Sequence, residues 1–290
     1  MRADDHGGFT QTRETLEQRW RVLGPDVGVL VEAGSGVTVP RWLIALNEHR
    51  VLEMGSVFKV VLLAAYARIV ERGEASRDQP FRIAASDRIP HSAVLEELPD
   101  GHEIGARDLL VAMMGQSDNT ATQMVADWLP EGAVDEVIRL AGLESTDVDT
   151  DLRGLYAHAE TDPSFEPRVC RTTVADMVRF YPFALWGGLL RGSDVATTFR
   201  DIMESENRDQ GTTWGEGLTC LRKSGSIEPP PLFAVGFAGA IVGGSEPLVF
   251  AFALNRHVDL AESEELTAAF GPILGDTLVW AIAEGSERVT

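Results

Sequence analysis

Residues 56–73, SVFKVVLLAAYARIVERG, decide the fold of this chain. The stretch consists of good helix formers and ends at Gly73, a residue type that commonly terminates helices. Its first three turns are apolar almost all the way round, which predicts a helix buried on every side. Ser56 and Lys59 are the polar exceptions in those turns. The sequence therefore predicts a central helix that carries a serine and a lysine into the protein interior.

The spacing of Ser56 and Lys59 places both side chains on one helical face, one turn apart. Ser56 falls at the predicted start of the helix, where free N–H groups favour a developing negative charge. A serine is a weak nucleophile until a base takes its proton, and a buried lysine can become the neutral amine that does so. The alternative is a helix cap followed by a lysine whose amine reaches solvent.

The lysine content of the chain is unusual. Lys59 and Lys223 are the only lysines among 25 basic residues, and all the others are arginine. Arginine stays protonated in proteins, whereas a buried lysine can lose its proton and serve as a base. Coding bias alone could leave two lysines by chance, so their neighbours in the sequence must decide.

A second motif, Ser117-Asp118-Asn119, lies between the predicted helices 105–115 and 119–129. Ser or Asp at such a position ordinarily caps the next helix. As chemistry, Ser117 would relay a proton to the leaving group, and Asn119 would hydrogen-bond a substrate amide. Asp118 would brace the turn.

A third motif, Lys223-Ser224-Gly225, follows a predicted short strand, Leu218 to Arg222. Gly225 would let a substrate backbone approach the strand edge closely. Lys223 would supply positive charge for a substrate carboxylate and would help to lower the pKa of Lys59. The alternative is a surface lysine at the end of a strand.

The three motifs in this order, SxxK, SDN and KSG, form the set found in class A β-lactamases and penicillin-binding proteins. The chain resembles that superfamily, most closely the class A-like serine hydrolases, over nearly its whole length. Residues 92–129 resemble the helical stretch around the family's second motif, and residues 171–181 resemble the helix after its active-site loop. The resemblance implies an oxyanion hole formed by the backbone N–H groups of Ser56 and Ser226. The implied catalytic residues are Ser56, Lys59 and Ser117, and the implied substrate-binding residues are Asn119, Lys223, Ser224, Gly225 and Ser226.

The sequence departs from the family in two places. Class A β-lactamases release the acyl group with water activated by a loop glutamate within an ExxLN pattern, which residues 144–171 lack. Asp151, Glu160 and Glu166 are the candidates for this base. The usual carboxylate-binding arginine after the third motif is also missing, since Arg256 lies late and Arg222 precedes Lys223. We therefore expect acylation of Ser56, whereas rapid hydrolysis of a stable penicilloyl ester does not follow. The alternatives are slow deacylation, a different base, or esters and amides whose acyl group is released more easily.

The predicted architecture is α/β (α+β), β-lactamase-like: an antiparallel sheet flanked by helices, with an inserted all-helical domain. Residues 1–55 and 206–290 would form a discontinuous α/β sheet domain, residues 56–205 a helical domain, and the active site would lie between them. Residues 144–171 are acidic and have no clear period, which predicts a long loop. The remaining predicted elements are helices at 10–23, 131–141, 172–183, 194–205 and Leu260–Glu284, a turn at Gly34-Ser35-Gly36, and strands at Val27–Glu32, Trp42–Leu46, Leu232–Val242 and Leu248–Leu254.

The composition of the chain limits the kinds of molecule that it is expected to bind. A net charge of -20 argues against nucleic acid and anionic membrane surfaces. No signal peptide or spanning segment is evident, so we expect a cytoplasmic protein.

Cys170 and Cys220 are expected to be free buried thiols, although a disulfide between them remains an alternative. The histidines show no ligand spacing, so no metal or cofactor is expected; the partner would be a small-molecule substrate, and the protein a monomer or weak homo-oligomer.

The leading hypothesis is a serine hydrolase that forms an acyl-enzyme on Ser56 from a β-lactam or related cyclic amide. The alternative within enzymes is an esterase, peptidase or acyltransferase of the same fold with weak or no β-lactam turnover. A catalytically silent binding homologue is the non-enzyme alternative. The complete SxxK, SDN and KSG motifs argue against it, because a binding protein has no need of a neutral lysine beside a serine.

Overall fold

A computed structural model describes residues 12–34, 41–162, 164–208, 214–227 and 231–286. Along these residues the helices are α1 (Arg13–Val22), α2 (Lys59–Glu71), α3 (Ala106–Gly115), α4 (Asn119–Trp128), α5 (Ala133–Ala141), α6 (Leu152–Thr161), α7 (Val174–Leu185), α8 (Ser193–Met203), α9 (Ser205–Arg208) and α10 (Leu260–Ser286). The strands are β1 (Val27–Ala33), β2 (Arg41–Leu46), β3 (Leu52–Glu53), β4 (Pro80–Arg82), β5 (Glu103–Gly105), β6 (Asp147–Val148), β7 (Cys170–Thr172), β8 (Thr219–Ile227), β9 (Leu232–Val242) and β10 (Leu248–His257).

The main sheet is antiparallel, with the strand order β2-β1-β10-β9-β8. β1 pairs with β10 along its whole length, from Val27 opposite Leu254 to Ala33 opposite Leu248. The two ends of the chain therefore share one sheet, with helices α2 to α9 inserted between β2 and β8. This confirms the predicted fold class. β8 forms one edge of the sheet, so one row of its backbone groups faces away from β9.

One face of the sheet is covered by the first and last helices. Trp20 of α1 stacks on Phe252 at 5.2 Å between ring centroids and meets the edge of Phe270 of α10. The indole nitrogen of Trp20 donates to Thr277 Oγ1 at 3.0 Å. By length and composition α10 could span a membrane. Part of its apolar surface packs into a core with the sheet, through residues that include Leu266, Ile273, Leu274, Leu278 and Ala281.

The opposite face of the sheet packs against the helical region, with α2 at its centre. Residues 59 to 67 of α2 are all buried, as the pattern of residues 56–73 predicts. A 3-10 turn, Gly55–Phe58, precedes α2, so Ser56 lies in this turn and Lys59 begins the α-helix. The turn packs against β8 and β9, which joins the central helix to the edge of the sheet.

Two of the predicted element assignments are wrong. Residues 144–171, expected to form a loop, contain α6 as well as β6 and β7. The third motif lies inside β8 instead of following a strand, because β8 continues to Ile227 through its pairing with β9. Within the predicted turn at Gly34-Ser35-Gly36, Ser35 and Gly36 lie outside the described residues.

The cysteines match the expectation of free thiols. Cys170 and Cys220 are both buried and unbridged. Burial raises the pKa of each thiol, that of Cys220 to about 12.

Candidate active site

Ser56 is positioned by a contact in which glycines take the place of side chains. An added Cβ at Gly225 would lie 2.3 Å from Met54 O and 2.4 Å from Ser56 N. Gly55, with φ +52°, faces the backbone of Ser226, and Gly236 of β9 faces Met54 in the same way. Real Cβ atoms do not approach this closely. The missing side chains therefore let the 3-10 turn lie directly on β8 and β9.

Gly225 lets the protein's own backbone, that of the turn carrying Ser56, approach β8 closely. We expected Gly225 to let a substrate backbone approach the strand edge. In the structure, the space beside its Cα is filled by the backbone of the turn that carries Ser56.

Lys59 is completely buried and makes hydrogen bonds to the second motif. Its Nζ donates to the carbonyl oxygen of Ser117 (2.5 Å), to Ser117 Oγ (3.0 Å) and to Asn119 Oδ1 (2.9 Å). An ammonium group can donate to all of these acceptors. A neutral amine has one donor fewer and a lone pair that accepts from a hydroxyl instead. The first and second motifs are thus brought together at Lys59.

Burial lowers the pKa of Lys59 well below its ordinary value. The positive charge of Lys223 lowers it further, whereas the carboxylates of Asp118 and Glu206 oppose the shift. The expected effect of Lys223 on Lys59 is therefore present. The lowered pKa brings the amine closer to the neutral form that can accept a proton.

Asp118 braces the second motif, as predicted. It caps α4 by accepting from Ala121 N at 2.8 Å, and its other oxygen accepts from Val94 N and Leu95 N. The side chain is fully buried. Ser117 has a φ of 55°, an uncommon conformation for a residue with a side chain. The cap holds the turn that presents Ser117 Oγ to Lys59.

Asn119 is held by contacts on every side. While its oxygen accepts from Lys59, its Nδ2 donates to Pro90 O (3.1 Å) and to the hydroxyl of Tyr156 (2.9 Å). Tyr156 belongs to α6, so this bond joins the motif to the 144–171 segment. Asn119 is predicted to hydrogen-bond a substrate amide, but in this structure its Nδ2 is engaged within the protein. In this state Asn119 orients Lys59.

Lys223 is 1% exposed and pairs with Glu206, a residue that sequence reasoning missed. Its Nζ donates to Glu206 Oε1 at 2.9 Å. Ser224 donates to the same oxygen through its backbone N (3.0 Å) and its Oγ (2.5 Å). Burial works to raise the pKa of Glu206, but the charge of Lys223 and the bonds from Ser224 hold it below its ordinary value. Glu206 is therefore an anion bound to the third motif.

The backbone N–H of Ser226 points to the open edge of β8. Ser224 N donates to Glu206, on the side of β8 away from β9. N–H groups two residues apart on a strand point to the same side, so Ser226 N points there as well. An added Cβ at Gly55, beside Ser56, would lie 2.8 Å from Ser226 N. The expected oxyanion donors, Ser56 N and Ser226 N, thus both lie at the glycine contact.

A cleft with two lobes opens around Ser56, Ser117 and Ser226, which line both lobes. The aromatic lobe, of about 580 Å³, lies between β9 and α10 and is bounded by Phe233, Val235, Phe237, Phe270 and Leu274. The loop lobe, of about 930 Å³, is bounded on one side by α6. The cleft is large enough for a small-molecule substrate on either side of the serine.

Of the candidate loop carboxylates, Glu160 lines the loop lobe, whereas Asp151 and Glu166 do not. Asp151 caps α6 by accepting from Gly154 N at 3.0 Å and does not line the loop lobe. Glu160 lines the loop lobe but is exposed, as is Asp162. Glu166 lies 3.5 Å from His257 Nδ1 and lines separate pockets. Near the start of α6, the residues that line the loop lobe are Leu152, Leu155 and Tyr156.

Glu53 is a second buried carboxylate that sequence reasoning missed. Its oxygens accept from the backbone N of Gly55 (3.0 Å), Val169 (3.2 Å) and Cys170 (2.7 Å). Burial raises the pKa of its carboxyl group. These bonds tie the turn that carries Ser56 to the end of the 144–171 segment. No local pattern around Glu53 indicates these partners.

The arginine at position 256 does not reach the cleft. Arg256 pairs with Glu262 at 2.7 Å and lines a pocket that excludes Ser56. Among the described residues, no group of three or more His, Cys, Asp or Glu side chains is arranged to hold a metal ion.

Comparisons with known proteins agree with this geometry. A family model described as "Beta-lactamase enzyme family" matches residues 27–278. A solved beta-lactamase from Sphaerobacter thermophilus DSM 20745 superposes with a TM-score of 0.74 at 22% identity, covering 92% of this chain and 98% of that one. A class A beta-lactamase from Bacteroides cellulosilyticus DSM 14838 gives 0.72 at 20% identity, covering 93% and 99%. A beta lactamase from Xanthomonas campestris pv. campestris gives 0.69 at 24% identity, covering 94% and 97%. No curated protein matches the sequence significantly.

Proposed function

The chain belongs to the beta-lactamase enzyme family and has the class A fold, and from this premise we propose that Ser56 is its acylated nucleophile. The family establishes a hydrolase of the β-lactamase type. The proposed reaction is the opening of a β-lactam or related cyclic amide through an acyl-enzyme. The observation that carries this proposal is the position of Lys59. This residue lies one turn after Ser56, is fully buried and donates a hydrogen bond to Ser117.

In the proposed acylation, neutral Lys59 takes the proton of Ser56 Oγ as that oxygen attacks the substrate carbonyl. The carbonyl π bond breaks, and the resulting oxyanion is held by the N–H groups of Ser56 and Ser226. When the oxyanion collapses, the C–N bond breaks. The leaving nitrogen takes its proton from Ser117 Oγ, which Lys59 then replaces. The acyl group stays as an ester on Ser56.

Release of the acyl group is proposed to be slow. Deacylation requires a base that activates water beside the ester. The α6 residues lining the loop lobe nearest its start are apolar or phenolic, and the carboxylates Glu160 and Asp162 are exposed at its rim. Neither of these exposed carboxylates is held in a buried site beside the ester. We therefore expect the acyl-enzyme to accumulate.

Rapid mixing with excess activated nitrophenyl ester tests both steps. The account predicts a burst of about one equivalent of nitrophenolate per chain, followed by much slower steady release. The Ser56→Ala variant, which removes one oxygen atom, should fold normally and lose the burst. Linear release from the first turnover by the wild type would contradict slow deacylation. An unchanged burst in Ser56→Ala would refute the nucleophile.

A further inference from the structure

The open edge of β8 carries donors suited to a carboxylate, and Glu206 already occupies them. Lys223 Nζ, Ser224 Oγ and Ser224 N all donate to Glu206. Glu206 accepts from all three of these donors, and Ser224 N is shared between its two carboxylate oxygens. A substrate carboxylate at this edge would have to displace Glu206 or lie beside it.

Displacement of Glu206 is unfavourable because the pair is buried. The Glu206 side chain is 3% exposed and that of Lys223 is 1% exposed. Breaking a buried ion pair leaves an uncompensated charge, which costs far more than breaking an exposed pair. An incoming carboxylate beside Glu206 would meet a like charge in a site with little water, which is also unfavourable.

Arg222, which lines the aromatic lobe, also contacts neighbouring side chains. Arg222 stacks over the ring of Phe237 at 4.8 Å, and its Nε lies 3.7 Å from Glu206 Oε2. Among the described residues that line the two lobes, Arg222 is the one lysine or arginine. The rim of the loop lobe instead carries Glu160 and Asp162. The cleft therefore offers an anion little compensation.

The wall beside this edge indicates what the site accepts in place of an anion. The aromatic lobe begins at Ser224 and Ser226 and continues along Phe233, Phe237 and Phe270. Apolar and aromatic walls of this kind take uncharged groups by removing their surface from water.

We propose that Glu206 acts as a built-in carboxylate that selects against anionic substrates, so that the site takes cyclic amides or esters uncharged next to the scissile bond. The proposal rests on the proposed acylation of Ser56. It makes Glu206 a specificity-determining residue that acts through Lys223 and Ser224.

A matched pair of ligands tests the proposal: benzylpenicillin and its methyl ester, which differ at the carboxylate alone. Each is tested for protection of Ser56 against labelling by a fluorophosphonate, read by intact-mass spectrometry. The ester should give half-protection at a concentration about tenfold or more below that of the acid, the ratio expected from about 1.4 kcal/mol of discrimination. Equal protection, including none from either ligand, or better protection by the acid overturns the proposal.

The Glu206→Gln variant tests the cause. It removes the negative charge and should shift the ester-to-acid ratio toward the acid by about tenfold. Glu204→Gln is the matched control: it removes the same charge two residues earlier, from a side chain that is not among the described partners of Lys223 and Ser224, and should leave the ratio unchanged. An unchanged ratio in folded Glu206→Gln overturns the assignment. If that variant does not fold, the wild-type ratio decides.

The same experiment separates this inference from the proposed function. If the fluorophosphonate fails to label Ser56 in the wild type, the nucleophile assignment fails. If it labels Ser56 and the acid protects as well as the ester, the nucleophile stands and the role of Glu206 is wrong.

Discussion

At the residue scale, the proposed chemistry depends on what lysine can do at position 59 and arginine cannot. Lys59 is buried beside a second cation, and both effects lower its pKa. Its hydrogen bonds to Ser117 and Asn119 fix the amine in one place. A base with a lowered pKa in a fixed position is what a serine nucleophile requires.

The pH dependence of acylation follows from the sign of this shift. Protonated Lys59 cannot accept the serine proton, so the rate should rise with pH through the pKa of Lys59 and then level off. Because that pKa is lowered, the rise should be complete well below the ordinary titration range of lysine. Acylation by an uncharged activated ester, measured across pH, checks this. A rate still climbing in lysine's ordinary range would contradict it.

Substitution of Lys59 separates charge from basicity. Lys59→Arg keeps the positive charge but cannot lose it, so acylation should fall by about a hundredfold or more. Lys59→Met is the control for packing: it fills the buried site without a charge and should keep the midpoint of thermal unfolding while losing activity. Full acylation activity in Lys59→Arg would refute the neutral-base role.

Much of the site could be predicted at this scale because the motifs are local. Ser56 and Lys59 share one turn, and Asp118 caps the helix that follows it. Glu206 and Glu53 could not be predicted, because their partners are brought to them by the fold. Glu206 meets Lys223 across 17 residues, and Glu53 meets Cys170 across 117. No local pattern encodes either contact.

At the element scale, the contact between the 3-10 turn and the sheet edge sets the position of Ser56. Sequence reasoning ended the strand at Arg222 because lysine, serine and glycine are poor strand formers. Pairing with β9 overrides that preference as far as Ile227 opposite Ala234. The sequence does not predict α6 for a different reason. Leu152 is the one residue of this helix that is buried, so its apolar residues show only a weak helical period.

Gly225→Ala tests the glycine contact. The new Cβ would collide with Met54 O and Ser56 N, which are backbone atoms that cannot rotate away. We expect a loss of about 1–3 kcal/mol in unfolding free energy. Since Ser56 N, a proposed oxyanion donor, would move, we also expect acylation to drop by about a hundredfold. Chemical denaturation and single-turnover kinetics measure the two effects.

Gly275→Ala in α10 is the matched control. An added Cβ there meets nothing within 4 Å, so this variant should be unchanged or more stable by about 0.5–1 kcal/mol, and fully active. Wild-type acylation by Gly225→Ala would show that the glycine contact does not position the nucleophile.

At the scale of the whole molecule, the two ends of the chain build the sheet and the middle supplies the helices, and the cleft opens around the residues where they meet. This arrangement could be predicted from the order of elements, because sequential strands joined by short turns form antiparallel pairs. The division into lobes could not, since it depends on how α6 and α10 lie beside the sheet.

The acidity of the whole molecule agrees with the substrate class proposed from Glu206. A net charge of -20 repels anions before they reach the cleft. At the cleft itself, Glu206 compensates Lys223 and the rim is acidic. Long-range and local electrostatics therefore oppose an anionic substrate together.

The most direct test of the central claim is the location of the acyl group on the protein. Wild type and Ser56→Ala are treated separately with a penicillin methyl ester, an activated ester and a fluorophosphonate, and each product is weighed intact and then mapped by peptide. The account predicts about one adduct per wild-type chain, on the peptide that contains Ser56, and none on Ser56→Ala. No adduct from any of the reagents on the wild type, or the same adduct on both proteins, would contradict it.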